Sequence, residues 1–207
     1  MKTSGATLLG AILLFLITGA AGAISVTIAP ATQELGIGST VTLAVVVSGL
    51  GAGVAPSLST FDLDVAFDPG VLSFLDFSFG DPVLGDQLDR AGLAFTTVSP
   101  GAGTVNLFEL SFDDPADLDA LQAGSFSLGT LRFSAGAPGA SAIEIAVNAL
   151  GDAAGDPLPA ELAGGRVAVV GAVGPRLPAP APLFLVLAGL LGLAGFRARA
   201  GRRAATT

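Results

Sequence analysis

The residues of this 207-residue chain that could do chemistry are its acids, and several of them fall in groups. Asp113, Asp114, Asp117 and Asp119 are the densest set. A concentration of carboxylate oxygens is the chemistry that holds calcium, a hard cation with oxygen ligands. The spacing departs from an EF-hand loop, which needs a glycine at its sixth position. Helix capping accounts for Asp114 and Asp117 without a metal. Asp81, Asp86 and Asp89 make a second, looser group, open to the same calcium reading. Asp62 and Asp64 form a third, alternating with apolar residues along one stretch, where a solvated outer face accounts for them.

The missing residue types narrow the chemistry further. There is no histidine, cysteine, tyrosine or tryptophan. A Ser-His-Asp arrangement, an imidazole ligand, a thiolate site and a disulfide are therefore all excluded. A glycosidase built on carboxylates alone is the one enzyme that could be written down, and the acids that would serve it read as surface. The expectation is a protein with no catalytic residue and no cofactor, calcium being the one ion worth testing. All 17 acids lie in residues 24–174, opposed there only by Arg90, Arg132 and Arg166, which leaves a formal balance of −14. A body this acidic repels nucleic acid and anionic membrane surfaces.

The elements that must position these acids are short and mostly extended. β-branched and aromatic runs alternate with glycine, proline and aspartate, predicting strands near 24–28, 40–48, 60–67, 71–79, 92–98, 103–112, 126–134, 141–148 and 165–170. Phe61, Leu63, Val65 and Phe67 alternate with Asp62, Asp64 and Ala66, and "AIEIAVN" places Ile143, Ile145 and Val147 on one face. "VLSFLDFSF" and "TVNLFELSF" each change phase midway, which predicts a β-bulge or a crossing between sheets. Ten phenylalanines fall in this region, and Phe61, Phe67, Phe108, Phe112 and Phe133 are expected in the core. "DDPADLDALQAG" predicts one short helix, with Asp114 as N-cap, Pro115 at its first position, Leu118 and Leu121 on one face and Gly124 at its end. Nine strands without long helices argue for an all-β, antiparallel β-sandwich of about 150 residues, large enough to fold without disulfides.

The two ends of the chain read as addresses. Lys2, the apolar run Leu8 to Ile17 and Ala21-Gly22-Ala23 form a signal peptide over residues 1–23, predicting signal peptidase cleavage after Ala23. The tail, residues 175–207, carries "RLPAPAP", an apolar run over 183–196 and an arginine cluster. At about 1.5 Å per residue that run reaches roughly 21 Å, short of a hydrocarbon core of about 30 Å. A short apolar helix with Arg197 and Arg199 held inside suits transient residence in the inner membrane.

Two resemblances follow from these motifs. "TFDLDVAFDPGVLSFLDFSFG", with "GIGSTVTLAVVVSGL" before it and "GSFSLGTLRFSAGAPGASAIEIA" after it, resembles a cohesin-type domain over roughly residues 24–170. The resemblance implies a nine-stranded jelly-roll related to carbohydrate-binding modules, in a family whose cellulosomal members bind dockerin domains and whose relatives act in adhesion or as scaffolds. Phe67 stands where that family often has tyrosine. The tail resembles the PEP-CTERM class of bacterial sorting signals, nearest its VPLPA-type variant, with Ala179 between Pro178 and Pro180 in place of glutamate. That resemblance implies an exosortase-type transpeptidase cutting near the prolines, on exported proteins of Gram-negative bacteria that make extracellular polysaccharide.

The function expected from the sequence is a non-catalytic, exported, cohesin-like binding or matrix module, sorted to the cell envelope or surface. The alternative is an extracellular module that binds carbohydrate in an exopolysaccharide or biofilm matrix. With no exposed tryptophan or tyrosine to stack on sugar rings, glycan recognition would rest on aspartates, Asn106, Asn148 and serines.

Overall fold

The structure, a computed structural model, describes residues 23–171. The apolar helix expected at 183–196 and the processing residues Ala21, Pro178, Pro180, Arg197 and Arg199 lie outside the described residues. Ala23 is exposed, and the first strand, β1 (Ile24–Ala29), starts immediately after it. Next come β2 (Thr32–Gly36), β3 (Thr40–Ser48), β4 (Leu58–Ala66), β5 (Leu72–Phe79), β6 (Phe95–Pro100) and β7 (Thr104–Leu110). Helix α1 (Pro115–Leu121) precedes β8 (Ser125–Ala135), β9 (Gly139–Asp152), β10 (Ala160–Ala163) and β11 (Gly165–Val170).

The strands form two sheets, ordered β10-β1-β3-β8-β5 and β2-β11-β9-β4-β7-β6. Among the described residues eleven strands replace the nine expected, and the sandwich is mixed, not purely antiparallel. β1 runs parallel to β10, and β2 parallel to β11. Both additions have one cause. The N-terminal arm leaves the first sheet at Pro30 and joins the second as β2, while the C-terminal arm does the same at Gly164 between β10 and β11. "TQELG" and "AELA" sit at sheet edges and are partly exposed, so neither carries the apolar alternation that marks a buried strand.

The core lies between the sheets. Val26, Val41, Val45 and Val47 meet Phe61, Leu63, Val65, Leu107 and Phe133, all fully buried. Phe67 packs on Phe133 with ring centroids 5.0 Å apart, and Phe74 meets Phe133 edge-on at 5.8 Å. The phase change in β5 is a bulge: its register against β8 shifts between Phe74 and Asp76, leaving Leu75 exposed while Phe77 and Phe79 turn back to the core. Gly129 of β8 is required there, because a β-carbon would collide with the Phe77 ring and the Ser78 carbonyl.

β7 corrects the second expected switch. It pairs with β4 and β6 without any register shift, so the inward positions run Val105, Leu107 and Glu109. Phe108 is only half-buried and Phe112 is 61% exposed; neither is a core residue. In an unbroken period of two, putting Phe108 inside would have put Leu107 and Val105 outside, and the strand buries the latter pair. The price is an acid, Glu109, inside the sandwich. In α1, Asp114 caps the helix by accepting from the Ala116 N–H at 2.8 Å, as its sequence predicts. The helix ends at Gln122, not Gly124, and Leu121 is 55% exposed while Leu118 is buried.

Candidate binding face

The acids singled out as possible calcium ligands are pulled apart by the fold. Asp113 accepts from the backbone N–H groups of Arg90 and Ala91 at 2.9 and 3.2 Å. Asp114 is spent on the helix cap, and Asp119 accepts from the Ser57 hydroxyl at 2.6 Å. Asp117 points from the exposed first turn of α1. In the second group, Asp81 takes N–H groups from Leu84, Ser127 and Val83, which lower the pKa of its carboxyl. Among the described residues no three acids converge closely enough to hold a metal ion. These aspartates tie turns to the sandwich.

The side chains that do converge lie on the outer face of the six-stranded sheet. Alternation along β4 buries Phe61, Leu63 and Val65 and turns Asp62 and Asp64 outward. The β4–β7 register sets Asn106 opposite Asp64 and Phe108 opposite Asp62. On the other side, β9 carries one extra residue between Ala149, which pairs with Asp62, and Val147, which pairs with Leu63. That residue is Asn148, and the bulge aims it at both acids. Asn106 Nδ2 donates to Asp62 at 2.6 Å and Asp64 at 2.9 Å, and Asn148 Nδ2 donates to the same pair at 3.2 and 3.0 Å. The Asn148 bond, then the Asn106 bond, lower the pKa of Asp64 against a smaller opposing effect of burial. Two carboxylates are thus held in place by shared amide donors on the outer face of the sheet.

An apolar ridge flanks this cluster. Phe95 of β6 pairs with Leu110, and its ring meets Phe108 at 6.0 Å and 64°. Phe95 is 56% exposed. The outer face of the other sheet is different in kind. There Thr40, Thr42, Thr130 and Ser134 surround a single ion pair, Arg132 to Asp76 at 3.0 Å, both partners about half-exposed. The face built by β9, β4, β7 and β6 therefore holds anchored acids beside exposed aromatic surface, and aromatic residues are enriched at the centre of protein interfaces while charge sits towards the rim. The sequence showed Asp62, Asp64, Asn106 and Asn148 separately; the bulge at Asn148 and the register of β7 gather them.

The fold is a cohesin-like sandwich. The sixth cohesin of Acetivibrio cellulolyticus scaffoldin B, solved in complex with a Cel5 dockerin mutant, superposes with a TM-score of 0.57 at 18% identity, covering 72% of this chain and 99% of that one. A Clostridium thermocellum cohesin from the Coh-OlpA-Doc918 complex gives 0.56 at 14% identity, over 72% of this chain and 99% of that one. A non-cellulosomal cohesin from the archaeon Archaeoglobus fulgidus gives 0.53 at 13%, over 72% and 91%. No protein-family model and no curated protein sequence matches the chain.

Proposed function

We propose that this chain is a non-catalytic protein-binding module of cohesin type, and that its partner docks on the outer face of β9, β4, β7 and β6. The observation that carries this is the fixed Asp62–Asp64 pair beside the exposed Phe95–Phe108 ridge. Cohesins of this fold have been solved with dockerin partners, which supports a protein ligand. A surface with a balance of −14 suits a partner that presents basic side chains around an apolar patch. Polysaccharide binding is less well served. Phe95 and Phe108 meet at a steep angle and offer no coplanar platform for sugar rings.

The ends of the chain place the module in the same reading. β1 begins at Ile24, which supports removal of residues 1–23 by signal peptidase. The tail from Pro178 onward is read as a processed sorting signal that holds the chain in the inner membrane until an exosortase-type enzyme transfers it towards the surface. The test is capture from the secreted and envelope fractions of the native host, using the full chain and an Asp62→Ala/Asp64→Ala/Phe95→Ala variant. A protein retained by the native chain and lost by the variant supports the face. Equal retention by both, or capture of polysaccharide alone, overturns it.

A further inference from the structure

Glu109 is an acid where the sandwich has no use for one. It sits on the inner face of β7 between Phe61 and Thr96, its partners on β4 and β6, and it is fully buried. Neither carboxyl oxygen receives a hydrogen bond from any donor. What faces it is the carboxyl of Asp86, with Asp89 behind, both on the segment that joins β5 to β6, residues 80–94. These two are the ionisable groups whose charge reaches Glu109. Arg90, the cation of the same segment, is spent on Gln87 Oε1 at 2.9 Å and the Leu121 carbonyl at 2.7 Å. Asp86 is half-buried and accepts from the Leu88 N–H at 3.0 Å, whereas Glu109 is fully buried with no donor and no cation, where the ionised form is the costly one. Glu109 must therefore carry a proton, and that proton is the donor that can join it to Asp86.

The segment bridges the two sheets. Gly80 N–H donates to the Leu128 carbonyl at 2.9 Å, and Asp81 accepts from Ser127 N–H at 2.9 Å, fixing one end to β8. Leu88 is buried in the core beside Gln87. Asp89 accepts from Ala94 N–H at 2.8 Å, one residue before Phe95 of the ridge. Whatever holds the middle of the segment against β7 therefore also holds the edge strand β6 and its exposed ring.

We propose that a single proton shared by Glu109 and Asp86 latches segment 80–94 onto β7, and that its loss in alkaline solution releases the segment together with the Phe95 edge of the binding face. Loss of the proton leaves a buried anion against Asp86 and Asp89, and the segment relieves the repulsion by moving outward and admitting water. Burial first, then the charge of Asp86, pushes the Glu109 pKa up to about 9, and burial raises that of Asp86 as well. The proton therefore resides on Glu109 at neutral pH and leaves near pH 9. Only the consequence for Phe95 rests on the binding-face reading; the latch itself is read without a partner.

The segment carries its own reporter. Arg90 is a trypsin site whose N–H, like that of Ala91, is held by Asp113. The experiment follows cleavage after Arg90 in the folded full chain by mass spectrometry across pH. Rates are divided by those of a free peptide of residues 85–95, and cleavage after Arg132 in β8 serves as an internal control. In the native chain the normalised rate should rise at least about tenfold between about pH 7 and pH 9, following the ionised fraction, while Arg132 stays protected. Glu109→Gln keeps an N–H donor towards Asp86, and Asp86→Asn gives Glu109 a donor; each should hold the rate low and flat. If circular dichroism finds Glu109→Gln unfolded, Asp86→Asn decides. A flat native profile, a rise in the folded variants equal to that of the native chain, or protection restored at high pH by calcium would each overturn the proposal. Loss of partner capture with an intact latch would instead count against the face.

Discussion

Phe67 and Phe112 are the same residue type in opposite environments, and that difference can be measured. Phe67 is 9% exposed and lies 5.0 Å from the Phe133 ring, whereas Phe112 is 61% exposed. Phe67→Ala should cost about 3–5 kcal/mol in urea unfolding, from lost transfer energy and an unfilled cavity. Phe112→Ala should stay within about 0.5 kcal/mol. Glu109 makes a second prediction at this scale. Its ordinary value is 4.5 and its folded value is about 9. The folded chain therefore keeps a proton that the unfolded chain gives up. The stability from this group is complete below about pH 4.5 and is lost as pH rises towards 9, with a limiting slope of about 1.4 kcal/mol per pH unit. Asp86 shifts in the same direction. Thermal melts of the native chain should fall steadily from about pH 5 to pH 9, and those of Glu109→Gln should be nearly flat across that window.

At the scale of the element, α1 is held less by its own seven residues than by the side chain that ends it. A helix this short has little intrinsic stability. Gln122 donates to the Leu58 carbonyl at 2.8 Å and accepts from the Leu58 N–H at 2.6 Å, filling the place of a neighbouring strand at the start of β4. Its amide also donates to the Gln87 carbonyl at 3.1 Å, so one buried side chain joins helix, strand and the 80–94 segment. Gln122→Leu should cost about 1–3 kcal/mol for each backbone group left unpaired. Asp114→Ala, which removes only the cap, should cost about 1 kcal/mol. Denaturation of the two variants side by side checks the order. The reverse ranking would mean that the helix, and not Gln122, carries the corner.

For the whole molecule the controlling quantity is charge. Seventeen acids against three arginines in residues 24–174 give the sandwich a field that attracts cationic partners and is screened by salt. Association with the captured partner should slow as ionic strength rises, and Asp62→Asn/Asp64→Asn should flatten that salt dependence more than it changes dissociation. Biolayer interferometry at several salt concentrations separates the two rates. The tail predicts an outcome on the same scale. Chain recovered from the native envelope should begin at Ile24 and end upstream of the apolar run, by intact mass. Persistence of Met1 would reject the signal reading, and persistence of the C-terminus through Thr207 would make the apolar run a lasting anchor.

By itself the sequence determined what depends on local pattern. Alternation marked β4 and most of β9, the phase change in "VLSFLDFSF" marked the β5 bulge, and the Asp114-Pro115 pair marked the start of α1. Missing residue types removed whole classes of chemistry before any fold was known. Tertiary structure decided the rest, for reasons that are not local. β2 and β10 exist because a neighbouring strand supplies hydrogen bonds to short polar runs. "TVNLFELSF" could be read in either phase, and only the packing of β7 between β4 and β6 chose the one that buries Leu107 and exposes Phe108. That same choice put Glu109 inside, opposite Asp86 on a segment that precedes β7 in the chain. Asn106 and Asn148 reach one pair of acids only because register and a single extra residue in β9 bring three strands into line. Long-range register is set by the burial of the whole sheet, and no window of sequence contains it.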